Sequence, residues 1–259
     1  MFLHKKMVAS LLSVLLGVAL HFSPSCFGQT AHSVKSNSGG HSRLNDSIAL
    51  VNPYGLMTVT SLKEYQQHVI SDPDQELVAL AGFIPGVVLD IRYATSDNLM
   101  HHPVYTLPVA FLRRPAAEAL RSVAEELRPL GYGLKVFDGY RPYKVTVQFY
   151  EAYHDSNFVA SPYTGSRHNR GCAVDLTLVD LATGKEPEMP TGYDAFTKEA
   201  AADYAGASPA ALQNRKLLQD AMLRHGFLLY PSEWWHFDFS GWKNYPVTDI
   251  PFEELTGKK

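Results

Sequence analysis

Apolar positions recur along the chain with two periods, and the switches between them mark out the elements. Ser61-Leu62-Lys63-Glu64 has the form of a capping box and predicts a helix start. Residues 87–93, introduced by Pro85-Gly86, read as a strand. Leu120, Val123, Ala124 and Leu127 return at helical spacing, which predicts a helix over about 115–130. Gly131 and Gly133 bracket the exit into a short strand, 134–137. A helix over 143–153 follows Pro142, and 173–179 is again a strand. A helix over 213–225 is stopped by Gly226, and strands at 227–230 and 235–239 close the pattern. No regular β-α-β rhythm and no internal repeat is present. The expected class is therefore α+β: a single domain with a mostly antiparallel central sheet flanked by helices.

The start of the chain follows a different logic. His4, Lys5 and Lys6 form a basic beginning, and the apolar run from Met7 to Leu20 is short of the roughly 20 residues that span a bilayer. Small residues at Ser23, Ser25 and Gly28 suit cleavage near Gly28. Residues 1–28 thus read as a signal peptide, 29–50 as a flexible polar linker rich in Ser, Gly, Asn and His, and 51–259 as the folded domain. Export to the periplasm is expected, with no membrane span in the mature chain. A lipid anchor at Cys26 is the weaker alternative, because Ser23-Pro24-Ser25 is a poor lipobox. Cleavage leaves Cys172 as the only cysteine, so no internal disulfide is expected.

Composition narrows the function only by exclusion. With 46% apolar and 12% aromatic residues the chain is not globally disordered. Its 23 Lys+Arg against 26 Asp+Glu leave no basic excess to cover phosphates, so nucleic acid is not an expected partner.

The chemistry sits on two strands. In 173–179, Val174, Leu176 and Leu178 share one face, and Ala173, Asp175 and Thr177 the other. In 235–239, Trp235, Phe237 and Phe239 alternate with His236 and Asp238. An ionisable group at mid-strand is costly to bury unless it is paired, and a metal ion would satisfy both strands at once. His168 lies in the loop before Asp175, close enough to fold back over it. His168, Asp175 and His236 would form an N/N/O zinc site, one ion per chain, with a fourth position left for water. Glu233, three residues before His236, can act on that water as a general base without being a ligand. Each feature alone has an ordinary reading: a histidine that caps a strand, or an interfacial aromatic strand. Their combination points to a metal. His101-His102 reads as a surface loop rather than a second metal pair.

Taken together, Ser166-Arg167-His168-Asn169-Arg170-Gly171-Cys172-Ala173-Val174-Asp175 and Glu233-Trp234-Trp235-His236 resemble the VanX-type D-alanyl-D-alanine dipeptidases, within the wider zinc D,D-peptidase family of hedgehog-like fold. The stretch Asp90 to Asn98, Phe137-Asp138-Gly139-Tyr140-Arg141-Pro142 and Met189-Pro190-Thr191-Gly192-Tyr193-Asp194 are similar to that branch. The resemblance implies zinc on His168, Asp175 and His236, with Glu233 as base. It further implies that Arg141 stabilises the oxyanion, Asp194 holds the substrate amine, and Tyr93 and Ser166 touch substrate. Structural alternatives remain for these last four: Arg141 as a turn residue paired to Asp138, Tyr93 as packing, Ser166 as a loop hydroxyl, Asp194 as a solvated acid. Cys172 stands where the branch usually has a small residue such as Ser, and it reads as a packed side chain. The implied reaction is hydrolysis of the D-Ala-D-Ala dipeptide in cell-wall turnover. Two competing readings are a zinc D,D-carboxypeptidase trimming peptidoglycan stems and a non-catalytic cell-wall binding module.

Export carries its own test. Mass spectrometry of the protein from an envelope fraction should find a mature N-terminus near residue 29; an intact Met1 on a cytoplasmic protein contradicts it.

Overall fold

In the structure, a computed structural model that describes residues 52–153 and 159–257, most of the expected elements stand where the periodicity places them. The signal-peptide and linker segments, 1–28 and 29–50, and Cys26 lie outside the described residues. In chain order the elements are α1 (Leu62–Ser71), β1 (Leu77–Ala79), α2 (Leu80–Phe83), β2 (Val88–Leu89), β3 (Phe111–Arg113), α3 (Arg114–Leu127) and β4 (Tyr132–Asp138). There follow α4 (Tyr143–Tyr153), β5 (Ala173–Asp180), α5 (Pro209–Arg224), β6 (Phe227–Tyr230), β7 (Glu233–Phe239) and α6 (Phe252–Thr256). The main sheet has the order β2-β4-β5-β7-β6, and β1 pairs with β3 in a small second ribbon. Every pairing is antiparallel except β2 with β4, where the chain returns through α3. The class is α+β, as the mixed order of elements implied.

The core lies between the sheet and two helices. Helix α3 buries Ala116, Ala117, Leu120, Val123, Ala124 and Leu127, the stripe that the 3.6-residue period selects. Helix α5 adds Leu218, Ala221 and Met222. Leu134 opposite Leu178 and Val136 opposite Leu176 share the sheet face that joins this cluster. Each fully buried Leu there contributes roughly 1.5–3 kcal/mol.

Four local readings are corrected. The strand expected over 87–93 pairs only at Val88 and Leu89, and Arg92–Ala94 then forms a 3-10 turn. The turn carries Tyr93 inward, and its carbonyl accepts from the amides of Val104 and Tyr105 (both 2.9 Å). Helix α5 begins at Pro209 rather than at 213, because Ser208 Oγ caps the Ala211 amide (3.1 Å) and Pro209 suits the first turn. Ser61 is the N-cap of α1 by position, yet its side chain makes no capping bond. Finally, the face bearing Asp175, read as one of small and polar groups beside an apolar core face, is buried as fully as the other through Val179.

Two irregularities in the sheet turn acidic side chains toward Asp175 and His236. Between Val136 and Asp138 the register with β5 slips, so that Asp138 stands opposite Asp175. Between β6 and β7, Leu229 pairs with Phe237 but Tyr230 pairs with Glu233, leaving the residues between them out of register. Strict alternation would send Asp138 with Leu134 and Val136, and Glu233 with Trp235 and Phe237. Bulges re-aim both carboxylates.

Glycine is required at two turns beside these strands. Gly171 takes φ +68° to close the 3-10 turn His168–Arg170, and a Cβ there would sit 2.5 Å from Leu77 Cδ2. At Gly139 a Cβ would meet the Phe111 carbonyl at 2.8 Å. Replacing Gly171→Ala should destabilise the fold by roughly 1–3 kcal/mol, since a left-handed non-glycine conformation and a crowded site both oppose it. A urea midpoint unchanged from wild type would contradict this.

Candidate metal centre and substrate cavity

His168 reaches the sheet from a loop that is tied down at each turn. Ser166 Oγ accepts from the His168 amide (2.9 Å), and Asn169 Oδ1 accepts from the Ser166 amide (2.8 Å). Asn169 Nδ2 donates to the Arg141 carbonyl (2.9 Å) and to Thr146 Oγ1 (2.8 Å). Asp175 and His236 are direct cross-strand partners on β5 and β7. All three side chains are buried, and their ligand atoms lie within 4.8 Å of one another.

The tautomers are set by outer partners. His168 Nδ1 faces the Gly139 carbonyl at 2.7 Å, so it carries the proton and Nε2 is left as a donor toward the cluster. His236 Nε2 lies 2.9 Å from Asp238 Oδ1, which leaves His236 Nδ1 in the same role. His168 Nε2, His236 Nδ1 and Asp175 Oδ1 form a triangle with edges of 3.2, 3.5 and 3.0 Å. Tetrahedral ligands at about 2.0–2.1 Å from one ion lie about 3.3–3.4 Å apart, so the triangle fits a metal. Asp175 Oδ1 is buried without a hydrogen-bond partner, despite the nearby imidazoles. Its other oxygen accepts from Tyr193 Oη at 3.0 Å.

Electrostatics agree with the geometry. Burial opposes the Asp175 charge, but the two imidazoles overcome this and hold its carboxyl far below the usual range. Burial likewise opposes a charged His236, and the nearby Asp175 carboxylate together with the bond to Asp238 still raises it well above an ordinary imidazole. The cluster is built around a positive charge.

The remaining site residues surround a cavity of about 240 Å³. That is below the roughly 300–1,000 Å³ typical of drug-sized ligands, and suits something very small. Glu233 Oε2 lies 3.7 Å from His236 Nδ1, with its pKa raised, chiefly by burial. Arg141 lines the cavity and also pairs with Asp138, through Nη2 at 2.7 Å and Nε at 3.2 Å. The pairing to Asp138 that could have made Arg141 a mere turn residue therefore coexists with a place in the site. Its guanidinium packs against the rings of Tyr93 (5.2 Å) and Phe149 (4.8 Å), which also touch each other. Burial works against that charge, yet Asp138 keeps the group firmly protonated.

Tyr93 donates to Asp194 Oδ2 at 3.0 Å, so the residue implied for the substrate amine is in contact with one implied to touch substrate. Asp194 is half-buried, with φ +56° in the left-handed region that Asp tolerates. Burial, then the Asp175 charge, push its pKa up to about 8 against the Tyr93 bond. It is not a solvated loop acid. Ser166 lines the cavity, but its oxygen already holds the His168 amide. Cys172 is buried, with its thiol pushed up to about 12 by burial, and it takes no part in the cluster. His101 and His102 are exposed, as a surface loop should be.

Sequence reasoning gave no role to three groups that complete the site. Asp138 accepts from Tyr105 Oη (2.9 Å) and the Gly139 amide (2.8 Å) while fixing Arg141. Asp238 orients His236, and Tyr193 supports Asp175. Asp238 left a readable trace as a second acid on the face of His236, and Asp138 as the turn partner of Arg141.

Comparison with known proteins places this arrangement. The family model described as D-Ala-D-Ala dipeptidase matches residues 73–253. The chain belongs to that family of metallopeptidases. A D-alanyl-D-alanine dipeptidase of Escherichia coli (strain K12) is 34% identical over 172 residues, covering 66% of this chain and 89% of the relative. One from Enterococcus faecalis (strain ATCC 700802 / V583) is 31% identical over 187 residues, 64% of this chain and 92% of the relative. Among solved structures, the LdcB LD-carboxypeptidase overlaps 57% of this chain and 69% of its own, at 23% identity and a TM-score of 0.35.

The geometry makes metal retention a direct test. Alanine at His168, Asp175 and His236 together should reduce the metal content of purified protein to near zero, while Asp238→Asn should weaken binding by about 10–100-fold. Full retention by the triple variant, read by elemental analysis, would refute the ligand set.

Proposed function

We propose that the chain is a zinc-dependent dipeptidase that cleaves D-Ala-D-Ala into two D-Ala. The observation that carries this is one small cavity that gathers a metal-competent triad, a half-buried base and a separate carboxylate, Asp194. His168, Asp175 and His236 would hold one zinc ion, which the mixed imidazole and carboxylate donors suit. Zinc bound there supplies Lewis acidity toward a carbonyl oxygen and makes water a better nucleophile near neutral pH. The residues of the chain do the rest.

Glu233, desolvated and beside His236, takes a proton from the attacking water and returns it to the leaving amine. Arg141, held rigid by Asp138 and two aromatic rings, offers fixed N–H donors to the oxyanion that develops on the scissile carbonyl. Asp194 and Tyr93 receive the free ammonium of the substrate. That charge matters: a buried carboxylate whose pKa stands at about 8 becomes a stable anion once a cation pairs with it. A longer peptide puts a neutral amide at this point, which disfavours the D,D-carboxypeptidase reading. A binding module would need neither Glu233 nor Arg141. The basic and apolar start of the chain supports export, and with it a role in recycling cell-wall dipeptide in the periplasm.

Two measurements test the mechanism. Glu233→Ala should keep its metal and lose roughly 2–4 orders of magnitude in kcat; near wild-type turnover would remove Glu233 from the reaction. N-acetyl-D-Ala-D-Ala should be cleaved at least about tenfold more slowly than the free dipeptide, because a charge-assisted bond of roughly 1.5–3 kcal/mol is lost. Equal rates on the two, or on a pentapeptide stem, would identify a carboxypeptidase instead.

A further inference from the structure

A dipeptide carries a charge at each end, and Asp194 answers only the ammonium. The carboxylate requires a cation of its own. Among the described residues lining the cavity, the cationic side chains apart from the metal-binding imidazoles are Arg141 and Arg167. Arg141 is occupied by Asp138 and is committed to the oxyanion. Arg167 is different. It sits in the loop between Ser166 and His168, and its side chain is 40% exposed.

Its position is set by two contacts. The guanidinium stacks over the Trp242 ring at 5.0 Å. Its Nε lies 3.3 Å from Asp238 Oδ2, without the alignment of a hydrogen bond. Asp238 thus approaches Arg167 at Nε, while its other oxygen serves His236. The approach recorded for the pair is at Nε and not at the terminal Nη groups, the fork that binds a carboxylate in bidentate fashion. Trp242 also carries Arg170 at 5.4 Å and Lys243 at 5.5 Å, side chains that do not line the cavity, so Arg167 is the one cation of this aromatic cluster that does.

We infer that Arg167, held by Trp242 and Asp238, is the specificity residue that binds the free C-terminal carboxylate of the substrate. Together with Asp194 it makes the cavity complementary to a zwitterion of dipeptide length, with an anionic site for the amine and a cationic site for the acid. The inference rests on the dipeptidase reading.

The test compares D-Ala-D-Ala with D-Ala-D-alaninamide, which is capped at the carboxylate, on wild type, Arg167→Ala and Arg167→Lys. Wild type should favour the free acid by about tenfold to a hundredfold in kcat/KM, the scale of one charge-assisted pair. Arg167→Ala should abolish this preference by losing on the acid alone, mostly through KM, with its metal content unchanged. Arg167→Lys should recover part of it. Titration of D-Ala-D-Ala into a Glu233→Gln background should show the same loss of affinity on adding Arg167→Ala, without turnover. If Arg167→Ala slows both substrates equally, or sheds metal, Arg167 acts only through Asp238 and His236 and the inference is overturned. If wild type cleaves neither substrate, the dipeptidase reading falls, and this inference with it.

Discussion

A carboxylate buried in the middle of a sheet constrains everything around it. Asp175 has little contact with water, and desolvation alone would force it to take up a proton. It remains an anion because two imidazoles and a tyrosine hydroxyl converge on it. Those groups need supports of their own, and the supports reach far into the fold. His168 depends on the Gly139 carbonyl and a loop sewn down by Ser166 and Asn169. His236 depends on Asp238. The apolar face of the same strands, packed under α3 and α5, supplies the rigidity that keeps these donors in place.

The cavity separates opposing charges instead of dispersing them. Arg141 pairs with Asp138, which holds its guanidinium protonated in the cavity wall despite burial. Asp194 accepts from the neutral hydroxyl of Tyr93 and stays poised to ionise when a cation arrives. Glu233 is half-buried and not a member of the ligand triangle, a location that raises its proton affinity. Three acids in one small space thereby acquire three different tasks from their surroundings. The small volume of the cavity, about 240 Å³, limits the size of what can enter beside them.

Much of this was legible in the residues. The helix stripe of Leu120, Val123, Ala124 and Leu127 and the alternation through Ala173–Asp180 depend on local periodicity, which the chain encodes directly. Asp175 and His236 could be recognised because a lone ionisable group at mid-strand violates an apolar pattern, and His168 because of its distance from Asp175. Asp138 could not be recognised in that way. By alternation it belongs to the core face, and only the slip in register opposite β5 turns it toward Arg141. Glu233 and His236, an odd number of positions apart, share a face for the same kind of reason.

Local pattern therefore determined the class of fold and singled out the candidate metal ligands and the candidate base, since each of these depends on side-chain type and near-neighbour spacing. Tertiary structure decided which acid is ionised, which imidazole nitrogen faces the centre and how large the cavity is. Those properties arise from burial and from partners far apart in the chain, such as Tyr93 with Asp194 and Gly139 with His168. They come into being only when the strands pair, because desolvation and bulges are properties of the assembled sheet and have no counterpart in an isolated segment.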